Sequence, residues 1–257
     1  MNYNIDLLDL VSKLSPIQQQ LKFAKKEDGT IALAAKETCK KIVYCLSCPW
    51  EYFEFPGSAV RFFEFKKFKS FFDIFNNPDK NADLNEMPIL DTILTEAGDV
   101  KDIIIKSSKS NQQFTCRTAA EGMIDEPQFS KVDFQTIAAK LKLTKAQIEH
   151  LQKMIGLIQE KTEKSGIKFT GKGDTLTVSF VCLATSNSYK VEYKLAESVT
   201  KDFTFSTDKE GILLLPSADY MMTIDPRGLI KFHMIRDDKI DLDLYISQQK
   251  VMAAGRV

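Results

Sequence analysis

Cysteines, histidines and closely spaced carboxylates are the side chains in this sequence whose types and spacing could support chemistry. Five cysteines stand at 39, 45, 48, 116 and 182, and Cys45-Leu46-Ser47-Cys48 has the C-x-x-C spacing of redox and zinc sites. A redox pair of that kind opens a helix after a strand, whereas here Pro49 and Trp50 follow at once and the next residues read as another strand. A zinc site needs a fourth soft ligand beside Cys39, Cys45 and Cys48, and the only histidines are His150 and His233. The thiols therefore read as small hydrophobes. Asp237-Asp238 lie around a turn, and Asp241 and Asp243 share one face of a strand, which reads as a solvated face in preference to a metal site. His150 falls on the polar side of a helix and His233 in a strand beside Phe232, neither with a visible partner. The sequence holds no G-x-S-x-G, H-E-x-x-H or G-x-x-x-x-G-K-[ST] pattern. It reads as a non-enzyme that needs no cofactor and no metal.

The 257 residues suffice for one large domain or two of ordinary size, and an apolar fraction of 44% builds a core without disulfide staples. Lysine plus arginine balance aspartate plus glutamate at 35 each. A neutral total leaves a nucleic-acid partner open, because local distribution of charge attracts phosphate. No apolar run reaches membrane-spanning length and the start lacks a signal pattern, so a soluble, cytoplasmic protein is expected.

The elements repeat. Asp6–Leu14 reads as a short helix ended by Ser15-Pro16, and Leu21–Ala24 and Thr30–Leu33 as a hairpin around Glu27-Asp28-Gly29. In the second half Thr144-Lys145-Ala146-Gln147 has the spacing of a capping box, and Ile148, Leu151, Met154, Ile155 and Ile158 form an apolar helical stripe. Ile167–Phe169 and Thr175–Phe180 then make a hairpin around Gly171–Asp174. Leu21-Lys22-Phe23 and Ile167-Lys168-Phe169 correspond across the halves. Further strands are expected at 41–48, 52–55 and 60–65, followed by a helix whose Phe68, Phe71, Phe72 and Phe75 share a face. Their counterparts are Phe203–Phe205, Gly211–Leu215 leading to a short helix at Tyr220–Ile224, and a hairpin from Leu229 to Ile246. Asp102–Ser107 and Gln112–Arg117 close the first half. The fold class is α+β: duplicated domains, each with two helices packed on antiparallel sheets. The division is 1–120, a connector at 121–131 and 132–257, with a polar insertion at about 76–98 and a strand opening the second half at Val132–Leu143.

Several helices carry lysines opposite their apolar stripes: Lys13 on the first, Lys66, Lys67 and Lys69 on the phenylalanine helix, Lys145 and Lys153 on the helix that follows Thr144. A solvated face is one reading of each. The other is that the helices together present lysines to a phosphate backbone without reading bases. Asp73, Glu149 and Glu160 dilute the pattern.

This order of elements resembles the sliding-clamp family, the ring-shaped processivity factors of DNA polymerases, and is most similar to clamps of T-even-type bacteriophages. The resemblance rests on Leu7–Leu14 with Leu21–Leu33, Val60–Phe75, Thr144–Phe180, Phe203–Ile224 and Leu229–Ile246. It implies three chains of two domains closing head to tail into a ring, strands outside and helices lining the hole. Double-stranded DNA would pass through it, held non-specifically by Lys13, Lys66, Lys67, Lys69, Lys145 and Lys153. The implied partners are a replicative polymerase, an ATP-driven clamp loader and, for similar phage clamps, the late-transcription machinery in the host cytoplasm. Partner peptides would dock in an apolar groove near the connector, which carries over to Met123, Ile124 and Phe129; packing of these three onto the core is the equal alternative. Two other readings compete: a viral structural or scaffold protein that assembles without DNA, and a single-stranded nucleic-acid binder that stacks bases on phenylalanines. The shared helical face of Phe68, Phe71, Phe72 and Phe75 argues against the second.

Overall fold

The structure is a computed structural model that describes residues 1–37, 41–76, 87–124, 132, 134–158, 166–181 and 185–248. The chain forms two compact units, each including a short piece remote in sequence. The first comprises Met1–Ala35, Cys45–Phe129 and Asp238–Asp241, the second Lys36–Tyr44, Ser130–Asp237 and Leu242–Val257.

The first unit opens with α1 (Ile5–Leu14), capped by Asn4, whose Oδ1 accepts the Leu7 N–H at 3.0 Å. Its face of Leu7, Leu8, Leu10, Val11 and Leu14 is buried. Strands β1 (Leu21–Lys25), β2 (Thr30–Lys36), β3 (Ile42–Pro49) and β4 (Ala59–Phe62) make a sheet in the order β4-β1-β2-β3. Then come α2 (Phe65–Asn76) and a second sheet of β5 (Ile89–Leu94), β6 (Val100–Lys106) and β7 (Gln113–Arg117), in sequence order. Rings fill the core: Phe62 lies 4.9 Å from Phe68 and 5.2 Å from Phe65, centre to centre, and Phe23 lies 5.0 Å from Phe53. Phe71, half-buried, stacks on Phe114 of β7 at 4.8 Å. These phenylalanines are thus packing groups, not platforms for bases. The polar insertion expected over 76–98 is shorter than anticipated, because Ile89–Leu94 is a strand with Leu90 fully buried. Residues 77–86 lie outside the described set.

The second unit runs β8 (Ala139–Leu143), α3 (Lys145–Ile158), β9 (Ile167–Lys172), β10 (Thr175–Val181), β11 (Ser188–Lys194), β12 (Phe203–Thr207), α4 (Lys209–Leu213), β13 (Asp219–Asp225), β14 (Leu229–Ile235) and β15 (Asp241–Ser247). One sheet has the order β11-β10-β9-β12, and β15-β14-β13-β8 follow one another in the other. The capping box at the start of α3 forms: Gln147 N–H donates to Thr144 Oγ1, and Thr144 N–H to Gln147 Oε1 at 2.8 Å. Ile148, Leu151 and Ile155 are buried against the sheets, while Met154 and Ile158 are half-buried. The opening strand is limited to Ala139–Leu143 within the expected 132–143.

One expectation is overturned. Tyr220–Ile224 is not the second helix but the middle of β13, where Tyr220, Met222 and Ile224 are buried at the two-residue period of a strand. β13 pairs on both sides, with β8 and β14, so its ladder satisfies the backbone groups that a helix would have served. The helix lies earlier, at Lys209–Leu213, capped by Asp208, whose Oδ1 accepts Glu210 N–H at 3.2 Å. Gly211 is required there: a Cβ would meet Ile246 Cδ1 at 2.5 Å.

Set side by side, the two units repeat one order. β4-β1-β2-β3 corresponds to β12-β9-β10-β11, and β5-β6-β7 to β13-β14-β15. β8 also has a counterpart in the first unit. In the first unit the Met1 amine donates to Leu90 O at 2.8 Å and Tyr3 OH to Pro88 O, so the first residues run beside β5 as β8 runs beside β13.

Candidate nucleic-acid face and peptide groove

α1 and α2 pack together, and α3 packs with α4. Lys13 in the last turn of α1 and Lys66 in the first of α2 are exposed, and Lys67 is exposed with Glu64 at 3.6 Å. On α3, Lys145 and Lys153 are exposed, Lys145 with Glu149 4.0 Å away. Five of the six expected lysines are therefore on surfaces that solvent or a polyanion can reach.

Lys69 is different. Its side chain is 6% exposed, and Nζ lies 2.6 Å from Asp9 of α1 and in an ion pair with Asp73 one turn along α2. Burial pulls its pKa down, but hydrogen bonds to Asp73 and Asp9 outweigh that and hold the ammonium above its usual range. The geometry assigns Lys69 to the junction of two helices, which corrects its place among surface lysines. Helical spacing alone puts it opposite the phenylalanine stripe; the neighbour α1 covers it. The same ammonium offsets the negative charge of Asp9 and Asp73, a compensation that only three-dimensional packing reveals.

Glu149 has a comparable partner. Ser217 Oγ donates a short hydrogen bond to it, and Lys145 N–H donates to Asp219 Oδ1 at 2.7 Å. Asp219 at the start of β13 thus fixes the start of α3, and Ser217 just before it restrains the carboxylate that stands between Lys145 and Lys153.

Two of the three expected groove residues are described, and they differ in exposure. Met123 is 61% exposed and Ile124 only 6%, while Phe129 lies outside the described residues. Met123 forms the lip of a cavity of about 260 Å³ in the first unit, with Phe63, Thr95, Val100, Lys101 and Arg117 among its walls. Arg117 is held across that wall by the buried Asp102.

The cysteines and histidines resolve by geometry. Cys45 and Cys48 are three apart on β3, which turns them to opposite faces, one half-buried and one buried. Burial, reinforced by Glu51 and Asp238, pushes the Cys48 thiol up to about 12; burial pushes Cys116 up to about 11. Thiols so poorly ionised are weak nucleophiles. Cys39 and Cys182 lie outside the described residues. Both histidines have neighbours that sequence did not show. His150 lies over Tyr189 at 5.9 Å, and His233 Nδ1 is 2.9 Å from Asp243 Oδ1. Asp243 is buried, and its Oδ2 faces Lys231 Nζ at 3.3 Å and accepts from Tyr245 OH at 3.4 Å. This carboxylate was expected on a solvated strand face; it is instead the centre of a polar cluster.

No family model matches the chain, and no curated protein matches it by sequence. Solved structures do. A chain of the PCNA2–PCNA3 complex from Sulfolobus tokodaii superposes with a TM-score of 0.64 at 16% identity, over 94% of this chain and 96% of that one. Proliferating Cellular Nuclear Antigen from Entamoeba histolytica superposes with a TM-score of 0.68 at 12% identity, over 95% of each chain. The chain therefore has the PCNA fold, α+β with antiparallel sheets and few helices, over nearly its whole length.

Proposed function

We propose that this protein is a sliding clamp, a non-enzymatic processivity factor that encircles double-stranded DNA without sequence preference and tethers a replicative polymerase. The observation that carries the reading is the pair of open sheet edges left by the duplication. Within the second unit, Lys41–Tyr44, leading into and beginning β3, lies with β15, and Ser247 N–H donates to Lys41 O at 2.8 Å. The repeat makes β11 the counterpart of β3 and β7 the counterpart of β15. Both β7 and β11 are terminal in their sheets, with side chains alternating between exposed and half-buried. A second copy can lay its β7 along β11 of the first, one terminal strand against the other. That contact is heterologous, and such contacts close into rings when the rotation allows. Three chains supply six units.

In that ring Lys13, Lys66, Lys67, Lys145 and Lys153 face the duplex and act through charge alone. Tethering makes each new encounter of the polymerase with DNA intramolecular. The Met123 cavity takes the apolar anchor of a polymerase tail, and a separate ATP-driven loader opens the ring. Kinship with T-even-type phage clamps, residence in a host cytoplasm and assistance to late transcription belong to the same proposal. The competing reading, a scaffold that assembles without DNA, uses the same edges and differs only in needing no lysines.

Light scattering with a polymerase assay separates them. A mass near three chains and stimulation of DNA synthesis on long templates are expected of the clamp. A stable monomer at micromolar concentration would sink ring assembly. A trimer that leaves synthesis unchanged would favour the scaffold.

A further inference from the structure

The second unit carries a groove of about 410 Å³ that neither the proposed ring contacts nor the Met123 cavity uses. It lies between β8 and the Ala196–Thr200 loop, with Ile137 and Met221 supplying apolar surface and Lys140 and Lys142 standing on one side. β8 is terminal in its sheet: it pairs with β13, and among the described residues no loop hydrogen-bonds to its other edge. Lys140 and Lys142 are exposed on the same face, opposite Thr223 and Met221 of β13, while Ala139 and Leu143 are buried on the other. Neither lysine has a carboxylate partner among the described residues. Among the described residues, the one acidic side chain lining the groove is the exposed Glu197. On the same sheet face, Lys231 already holds the buried Asp243, so that carboxylate does not offset the two lysines.

We propose that this groove binds an acidic, extended segment of a partner protein, which adds as a further strand to the outer edge of β8. Main-chain hydrogen bonds to a free edge supply affinity, and side chains at alternate positions supply selectivity. The two-residue period sets the pattern of the ligand. Acidic residues two apart meet Lys140 and Lys142, and the residues between them turn to the apolar side. The test reads peptide binding and requires neither ring closure nor DNA, so it stands whatever the outcome of the function proposed above.

The probe is a fluorescently labelled peptide of sequence Glu-Val-Glu-Val-Glu-Val, titrated with the full-length protein and followed by anisotropy. Saturable binding is expected, weakened at least tenfold by Lys140→Glu with Lys142→Glu and by replacing the glutamates of the peptide with glutamine. Should the double reversal disturb folding, Lys140→Gln with Lys142→Gln serves, with a loss of several-fold expected. Absence of binding, or binding indifferent to both pairs of substitutions, would overturn the proposal. So would a labelled DNA duplex that lost affinity in these variants while the peptide failed to bind, or a change in the mass of the assembly without peptide binding.

Discussion

Lys69 of α2 lies 2.6 Å from Asp9 of α1 and is nearly sealed from solvent, so one cation joins the two helices of the first unit. Its (CH₂)₄ stem packs inside while the charge is shared between Asp9 and Asp73. Lys69→Met keeps the bulk and leaves both half-exposed carboxylates without their cation. We expect a loss of about 1–2 kcal/mol, read as a lower midpoint in urea at unchanged m-value. The same substitution at the exposed Lys66 should leave the midpoint within about 0.5 kcal/mol. Equal effects at the two positions would refute this division of labour.

Charge reversal at Lys66, Lys67, Lys145 and Lys153 together should abolish stimulation of the polymerase without unfolding the protein. Retention on DNA across a salt series is the finer measurement, since every phosphate that is no longer neutralised reduces the salt slope by about 0.9. A variant with an unchanged slope would remove these helices from the DNA-facing surface.

Gly171 faces Phe203 across the β9–β12 pair, and a Cβ there would meet the Phe203 ring at 2.3 Å. Gly171→Val therefore forces the ring out of the sheet. A destabilisation of about 1–3 kcal/mol is expected, seen as a lower melting temperature. Gly171→Val with Phe203→Ala should recover part of that loss, because the obstructing ring is gone.

Thr144→Ala removes the hydroxyl that caps α3 and should cost about 1 kcal/mol. The effect should be non-additive with Gln147→Ala, since each side chain serves the other's backbone N–H. Simple addition of the two losses would mean that the box does not act as a unit.

Alkaline pH should destabilise the protein. The Cys48 thiol, held near 12 when folded, ionises near its ordinary value of about 8.5 when unfolded. A raised folded pKa gives stability that is complete below the unfolded value and lost as pH rises toward the folded one. The loss begins near pH 9 and approaches about 1.4 kcal/mol per pH unit for this group. Cys48→Ala should flatten that limb of the denaturation profile; an identical slope in the variant would exclude the thiol as its source.

Sequence reading succeeded where side-chain period and end signals agreed. Ser15-Pro16 after an apolar stripe or Thr144 before one bounds a helix, and Asp28-Gly29 or Gly173-Asp174 between alternating residues gives a hairpin. It failed at Tyr220–Ile224, where Pro216-Ser217 imitates a helix start. Only the presence of β8 and β14 on either side makes that segment a strand. It also passed over β11, whose alternation is weak because neither face is fully buried. Among site residues, exposure of Lys13, Lys66, Lys67, Lys145 and Lys153 follows from helical spacing within one element. Burial of Lys69 depends on a second helix distant in sequence, and no local pattern encodes it. The Asp243 cluster is hidden for the same reason: Lys231 and His233 reach it from the neighbouring strand.

The open edges of β7 and β11 bear on how the protein must be handled. Unpaired edges invite indiscriminate pairing, and charged side chains along them are the usual safeguard. Arg117 on β7 and Lys190, Glu192 and Lys194 on β11 are exposed charges of this kind. Such charges oppose strand addition by an unrelated chain. A concentrated preparation at high salt, where those charges are screened, is therefore the condition in which material should disappear into precipitate before any domain has unfolded.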